Sequence, residues 1–119
     1  MRAAPCQERR ITLHTDPDPA PLRRAWIDYS GVFAGGLGLS GITIFEDINN
    51  PDYPNPQHQY PECNCVMPAF PAEREVPLPP GQTLVLKYRL WIHSGPADEK
   101  QLADVWAAYA HPPKVRFEE

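Results

Sequence analysis

The stretch GQTLVLKYRLWIHSGPADEKQLADVWAAYA, Gly81 to Ala110, changes its period halfway along, and that change decides the fold class. From Thr83 to Ser94 the chain alternates. Leu84, Leu86, Tyr88, Leu90 and Ile92 fall on one face, and Thr83, Val85, Lys87, Arg89, Trp91 and His93 on the other. Successive strand side chains point to opposite faces, so the pattern predicts a half-buried strand with its apolar face inward and its polar face out. Ser94-Gly95 stops it. Pro96 suits the first turn of a helix, where no amide hydrogen is needed, and Asp98 and Glu99 complement the positive end of the helix dipole. Leu102, Val105, Trp106 and Tyr109 then recur at i, i+3, i+4 and i+7, which predicts a helix with one stripe packed on the sheet. His111-Pro112-Pro113 ends it.

Working back from Gly81, the turn Pro77-Leu78-Pro79-Pro80-Gly81 launches the long strand. Further strands are predicted at about Arg10 to Thr15, Ala25 to Phe33, Leu37 to Phe45 and Cys65 to Phe70. Trp26, Asp28 and Ser30 oppose Ile27 and Tyr29 in the second of these, and Gly31 marks a bend or bulge. Gly35-Gly36-Leu37-Gly38 has neither a following helix nor a Lys-Ser end, so it reads as a hairpin connection and not as a phosphate loop. Residues 48–62 carry no period and form a long Pro-rich loop, and residues 1–9 read as a disordered start. The expected fold is mainly β, an antiparallel β-sandwich with one C-terminal α-helix.

Composition bounds the function. A chain of 119 residues, 42% of them hydrophobic, can form one domain with a modest core. Sixteen prolines are spread between the apolar runs, where they punctuate strands and stiffen loops. The net charge of -4, with only Arg9-Arg10 and Arg23-Arg24 as basic pairs, argues against nucleic acid as a partner. No apolar run reaches roughly 18 residues, so no helical membrane span is expected. The start MRAAPCQERR lacks the apolar core of a signal peptide, which points to a cytoplasmic product, or to a secreted or periplasmic one if a longer precursor exists.

Four segments carry a family resemblance. They are Trp26-Ile27-Asp28-Tyr29-Ser30-Gly31, then Gly41-Ile42-Thr43-Ile44-Phe45 leading to Asn50-Pro51 and Pro54, then His58, and Leu86 to Gly95 with the helix that follows. In order and spacing, from about Ala25 to Ala110, the chain resembles the C-terminal part of the bacterial family catalogued as methane oxygenase PmoA-like. The resemblance implies a β-supersandwich similar to mutarotase and sugar-lyase C-terminal architecture, in proteins longer than this one. The chain is then either a single domain or a C-terminal fragment, its uncovered sheet closed by a missing N-terminal half or by a homo-oligomer. It also implies a carbohydrate-associated role of unproven activity. Family members often carry Asp-His-Pro before the Asn-Pro and a basic residue after the loop histidine. Here Glu46-Asp47-Ile48 and Gln59 stand at those places.

Three residue sets are candidates for a site. Asp28, Glu46, Asp47, His58, Arg89 and His93 combine carboxylates with imidazoles, the groups that move protons on and off sugar oxygens in a hydrolase or isomerase. His58, His93, Asp28, Glu46 and Asp47 are the catalytic candidates among them. Tyr53, Tyr60 and Trp91, with Arg89, are candidates for ligand binding by stacking on sugar rings, whereas Trp26 and Trp106 read as core. His58, Cys63 and Cys65, spaced H-x4-C-x-C, could hold zinc or copper, with Glu62 or Cys6 as a fourth ligand, as an oxygenase component would require. The alternative is no cofactor, because a complete four-ligand spacing is lacking. Three cysteines also cannot build a full disulfide framework within one chain.

Overall fold

The computed structural model describes residues 6–13, 23–36, 38–60 and 65–118. Six strands precede one helix: β1 (Cys6–Leu13), β2 (Trp26–Phe33), β3 (Leu39–Glu46), β4 (Gln57–Tyr60), β5 (Cys65–Pro68), β6 (Tyr88–Ser94) and α1 (Glu99–Ala110). They form a four-stranded sheet in the order β1-β2-β3-β6 and a two-stranded sheet of β4 and β5, with every pairing antiparallel. The chain is mainly β with a C-terminal helix.

Register decides what each face carries. Trp26 stands beside Phe45 and Phe45 beside Arg89; Asp28 stands beside Thr43 and Thr43 beside Trp91; Ser30 stands beside Gly41 and Gly41 beside His93. Cross-strand partners share a face, so these rows make one side of the sheet. Helix α1 covers part of it, packing Leu102, Val105, Trp106 and Tyr109 onto Ala25, Trp26, Phe45 and Trp91. The other side holds Ile27, Tyr29 and Ile44 with Val66 of β5, and Ile11, Phe33 and Tyr88 pack around them. Full burial of a side chain such as Phe45 on one face and Ile27 on the other contributes about 1.5–3 kcal/mol each, so both faces of the sheet are stabilised.

The long strand differs from its expected form in two respects. Pairing begins at Tyr88, opposite the last residue of β3, and not at Thr83. β3 has ended there, and beside the Asp47 N–H, which donates to Lys87 O at 3.2 Å, the Asn50 side chain takes up the backbone of Lys87: its Nδ2 donates to Lys87 O at 2.8 Å and its Oδ1 accepts from Lys87 N at 2.8 Å. The face is also reversed. Leu90 and Ile92 are 60% and 76% exposed, whereas Trp91 and His93 on the polar face are partly buried. Helix α1 lies on the Trp91 side, and the cover supplied by Val66 stops at Tyr88.

Four boundaries move as well. β1 begins at Cys6, so residues 6–9 of the expected disordered start are strand; residues 1–5 lie outside the described residues. The bulge falls opposite Gly31, on β1, where the register jumps between Gln7 and Arg10 and Glu8 has φ of 51°. β4 lies inside the expected Pro-rich loop, because its residues Gln57, His58, Gln59 and Tyr60 alternate without any apolar marker. Pro96 precedes the helix and Asp98 is its N-cap, accepting from Gln101 N at 3.0 Å.

Candidate functional site

On the helix-covered side of the sheet, β2, β3 and β6 bring together Asp28, Ser30, Gly41, Thr43 and His93. Asp28 is fully buried, and its carboxylate is met by three side chains. Oδ1 accepts from Thr43 Oγ1 at 2.6 Å and lies 2.7 Å from His93 Nε2, while Oδ2 accepts a short bond from the Ser30 hydroxyl. The His93 side chain is 9% exposed. Space for it comes from Gly41, since a Cβ there would lie 2.7 Å from His93 Nε2 and 2.5 Å from Ser30 Oγ. In the next row the Trp91 indole Nε1 is buried without a hydrogen-bond partner among the described residues. A carboxylate that fixes an imidazole is the arrangement that prepares a histidine to take up a proton.

The structure divides the other candidates. Glu46 lies three residues from Thr43 on β3, an odd separation, so it faces the opposite side of the sheet from Asp28. It is fully buried and accepts from Asn55 N at 2.9 Å and from Asn55 Nδ2. Burial raises its pKa above the ordinary 4.5, against the lowering pull of Asn55 and of the Arg23 charge. Arg23 ties the same loop by donating to Pro54 O at 2.9 Å and to Asp52 O at 3.1 Å, and Asp52 also pairs with Arg74 at 2.8 Å. Glu46 therefore anchors a loop.

Asp47 and Arg89 meet at the end of α1. Tyr109 OH donates to Asp47 Oδ2 at 3.3 Å, and the Arg89 guanidinium lies 4.5 Å from the centre of the Tyr109 ring. The Asn49 backbone N–H, at 2.8 Å from Oδ1, is the main cause that lowers the Asp47 pKa below 3.8. Burial and the Asp47 charge raise that of Tyr109. Arg89 shares its face with His93 but stands four residues away, about 13 Å along the strand.

His58 and Tyr60 are neighbours on the small sheet, with His58 Nδ1 at 3.2 Å from Tyr60 OH. With Gln57 and Gln59 they line an open depression along β4. Tyr53 packs against the cluster beneath α1, as does Trp91. Cys65 is partly buried and stands beside Tyr60 in the β4–β5 ladder, two positions from the His58–Met67 pair. Cys63 lies outside the described residues, as does the fourth-ligand candidate Glu62; the Cys6 side chain is not described either. Among the described residues no group of three His, Cys, Asp or Glu side chains converges as a metal centre requires.

Ser30, Gly41 and Thr43 lie in the segments that carry the family resemblance but are not among the site candidates read from the sequence. Their signal is the i, i+2 spacing that puts Ser30 on the face of Asp28 and Gly41 on the face of Thr43, but it needs the strand pairing before the two sets meet.

Among the described residues no helix is long and apolar enough to cross a membrane. No curated protein and no solved structure matches the chain. A family model described as Family of unknown function (DUF6807) matches residues 10–107, and the chain belongs to that family.

Proposed function

We propose that this chain is a carbohydrate-associated β-sandwich unit, of the PmoA-like kind that its sequence resembles, whose polar centre is the Asp28–His93 pair. The observation that carries the reading is the 2.7 Å contact between His93 Nε2 and a fully buried carboxylate on a sheet face flanked by Trp91. A buried carboxylate that receives three side-chain donors from β2, β3 and β6 fixes the imidazole ring in one orientation. An imidazole so held can bind a sugar hydroxyl, and the same geometry favours a second reading, a hydrolase or isomerase in which His93 acts as general base and Asp28 orients it.

Binding to a panel of immobilised glycans tests both readings. Sugar binding is expected to be lost in His93→Ala and retained in His58→Ala, which alters only the open depression on β4. Binding that survives His93→Ala but is lost in Tyr60→Ala would move the site to β4 and overturn the assignment. For the enzymatic reading, turnover of a bound glycan must fall strongly in His93→Ala.

A further inference from the structure

The Asp28 network also specifies which atom of His93 is available for chemistry. Asp28 Oδ1 receives Thr43 Oγ1 and faces His93 Nε2, while Oδ2 receives Ser30 Oγ. A carboxylate offers acceptors only, so the contact at Nε2 is a hydrogen bond when that nitrogen carries the proton. The neutral ring then has its lone pair on Nδ1. Among the described residues Nδ1 has no hydrogen-bond partner.

We propose that Asp28, held by the Ser30 and Thr43 hydroxyls, keeps His93 as the Nε2–H tautomer, so that Nδ1 is the proton-accepting atom of the site and takes a neutral hydroxyl group. This deepens the carbohydrate reading and rests on it for the ligand, but not for the tautomer. Ser30 and Thr43 are positioning residues. Ser30 holds Oδ2 and Thr43 holds Oδ1, which fixes the plane of the carboxylate and points the second acceptor site of Oδ1 at the imidazole. Gly41 serves the same end sterically, because any side chain there would enter the space of the Nε2 contact. A lone pair at Nδ1 selects a ligand that brings a donor. A sugar hydroxyl does so, and the carboxylate of an acidic sugar does not.

Long-range proton–nitrogen NMR of the uniformly labelled full chain, without ligand and at a pH where His93 is neutral, reads the tautomer directly. The expected spectrum has a pyridine-type Nδ1 and a pyrrole-type Nε2 for His93. The reverse pattern, or an averaged pair of signals, overturns the proposal whether or not sugar binds. In Ser30→Ala/Thr43→Val the signals are expected to shift to an averaged pair while the backbone spectrum away from β2, β3 and β6 is kept. Retention of the pure Nε2–H pattern in that folded double variant would remove the positioning role. Thr43→Ser, which keeps the hydroxyl, should leave the wild-type pattern and serves where the double variant does not fold.

Titration with methyl glucoside and with acetate, a carboxylate that carries no hydroxyl, supplies the ligand arm. The neutral glycoside is expected to shift the Nδ1 resonance and acetate to leave it in place. A shift with acetate would overturn the hydroxyl assignment. No shift with the glycoside would overturn the carbohydrate reading and the ligand half of the proposal, with the tautomer judged separately from the ligand-free spectrum.

Discussion

Asp28 and Glu46 are both fully buried carboxylates on neighbouring strands, and they are held in opposite ways. The partners of Asp28 are side chains of β2, β3 and β6, so its network spans the sheet. Glu46 receives two bonds from Asn55, and the Asn50 side chain also acts on it; both asparagines lie in the segment that joins β3 to β4. One carboxylate ties strands to each other, and the other ties a loop to a strand. The difference bears on function. A carboxylate shared by three strands is fixed by the register itself and can hold a histidine in place, whereas one held by the asparagines of one loop has its acceptors taken up by that loop.

The most severe way to break this contrast is Asp28→Ala. It leaves the Ser30, Thr43 and His93 donors facing a buried void. Removing one member of such a buried charged network typically costs about 3–5 kcal/mol, measurable by urea denaturation. Hydrogen exchange in this variant should accelerate in β2, β3 and β6 together. Acceleration confined to β6 would mean that Asp28 serves only to hold His93.

Glu46→Gln is expected to cost less, about 1–3 kcal/mol, because one of the two Asn55 donors loses its acceptor. Exchange should quicken in residues 50–56 and leave the centre of the sheet protected. The pH dependence sharpens the point. With its folded pKa raised above 4.5, Glu46 makes the folded state bind a proton more readily than the unfolded one, so its contribution is complete below 4.5 and declines as pH rises towards the raised value. That downward slope should vanish in Glu46→Gln, and a slope that persists would assign it to another group.

The smallest effect belongs to Asp47, the next residue, whose shift has the opposite sign. Its pKa is lowered below 3.8, chiefly by the Asn49 N–H, so it adds stability above 3.8 that is lost as pH falls through the lowered folded value. Asp47→Asn should flatten the acid limb alone. A change on the alkaline side of 4.5 would show that the two adjacent carboxylates titrate as a pair.

Much of this architecture could be read from periodicity, because the residues concerned alternate or recur with clear apolar marks. The helix stripe of Leu102, Val105, Trp106 and Tyr109 packs as its spacing requires. β2 and β3 fall close to their expected bounds. β4 escaped because Gln57 is buried through its amide, which donates to Arg24 O at 3.1 Å, and not through an apolar side chain. The reversal of β6 escaped for a different reason. Alternation identifies two faces but does not say which one the helix will cover, and here Trp91 brought more apolar area to the helix side than its polar neighbours Arg89 and His93 suggested.

The site was legible as a set of residue types and not as a constellation. Asp28 and His93 are 65 residues apart and meet only through the antiparallel pairing of β2 with β3 and of β3 with β6. Glu46 and Asp47, adjacent to each other, part because neighbouring strand positions face opposite ways.

The missing side chain at position 41 carries a consequence for inheritance. Three strands of the sheet meet, in the row of Ser30, Gly41 and His93, at one hydrogen atom standing where every other amino acid would put a carbon. Positions 41 and 93 should therefore vary together across the family: a member with a larger residue at the first is expected to carry a smaller one in place of the histidine. The pair offers a marker, readable from sequence alone, for which members keep the imidazole centre and which have abandoned it.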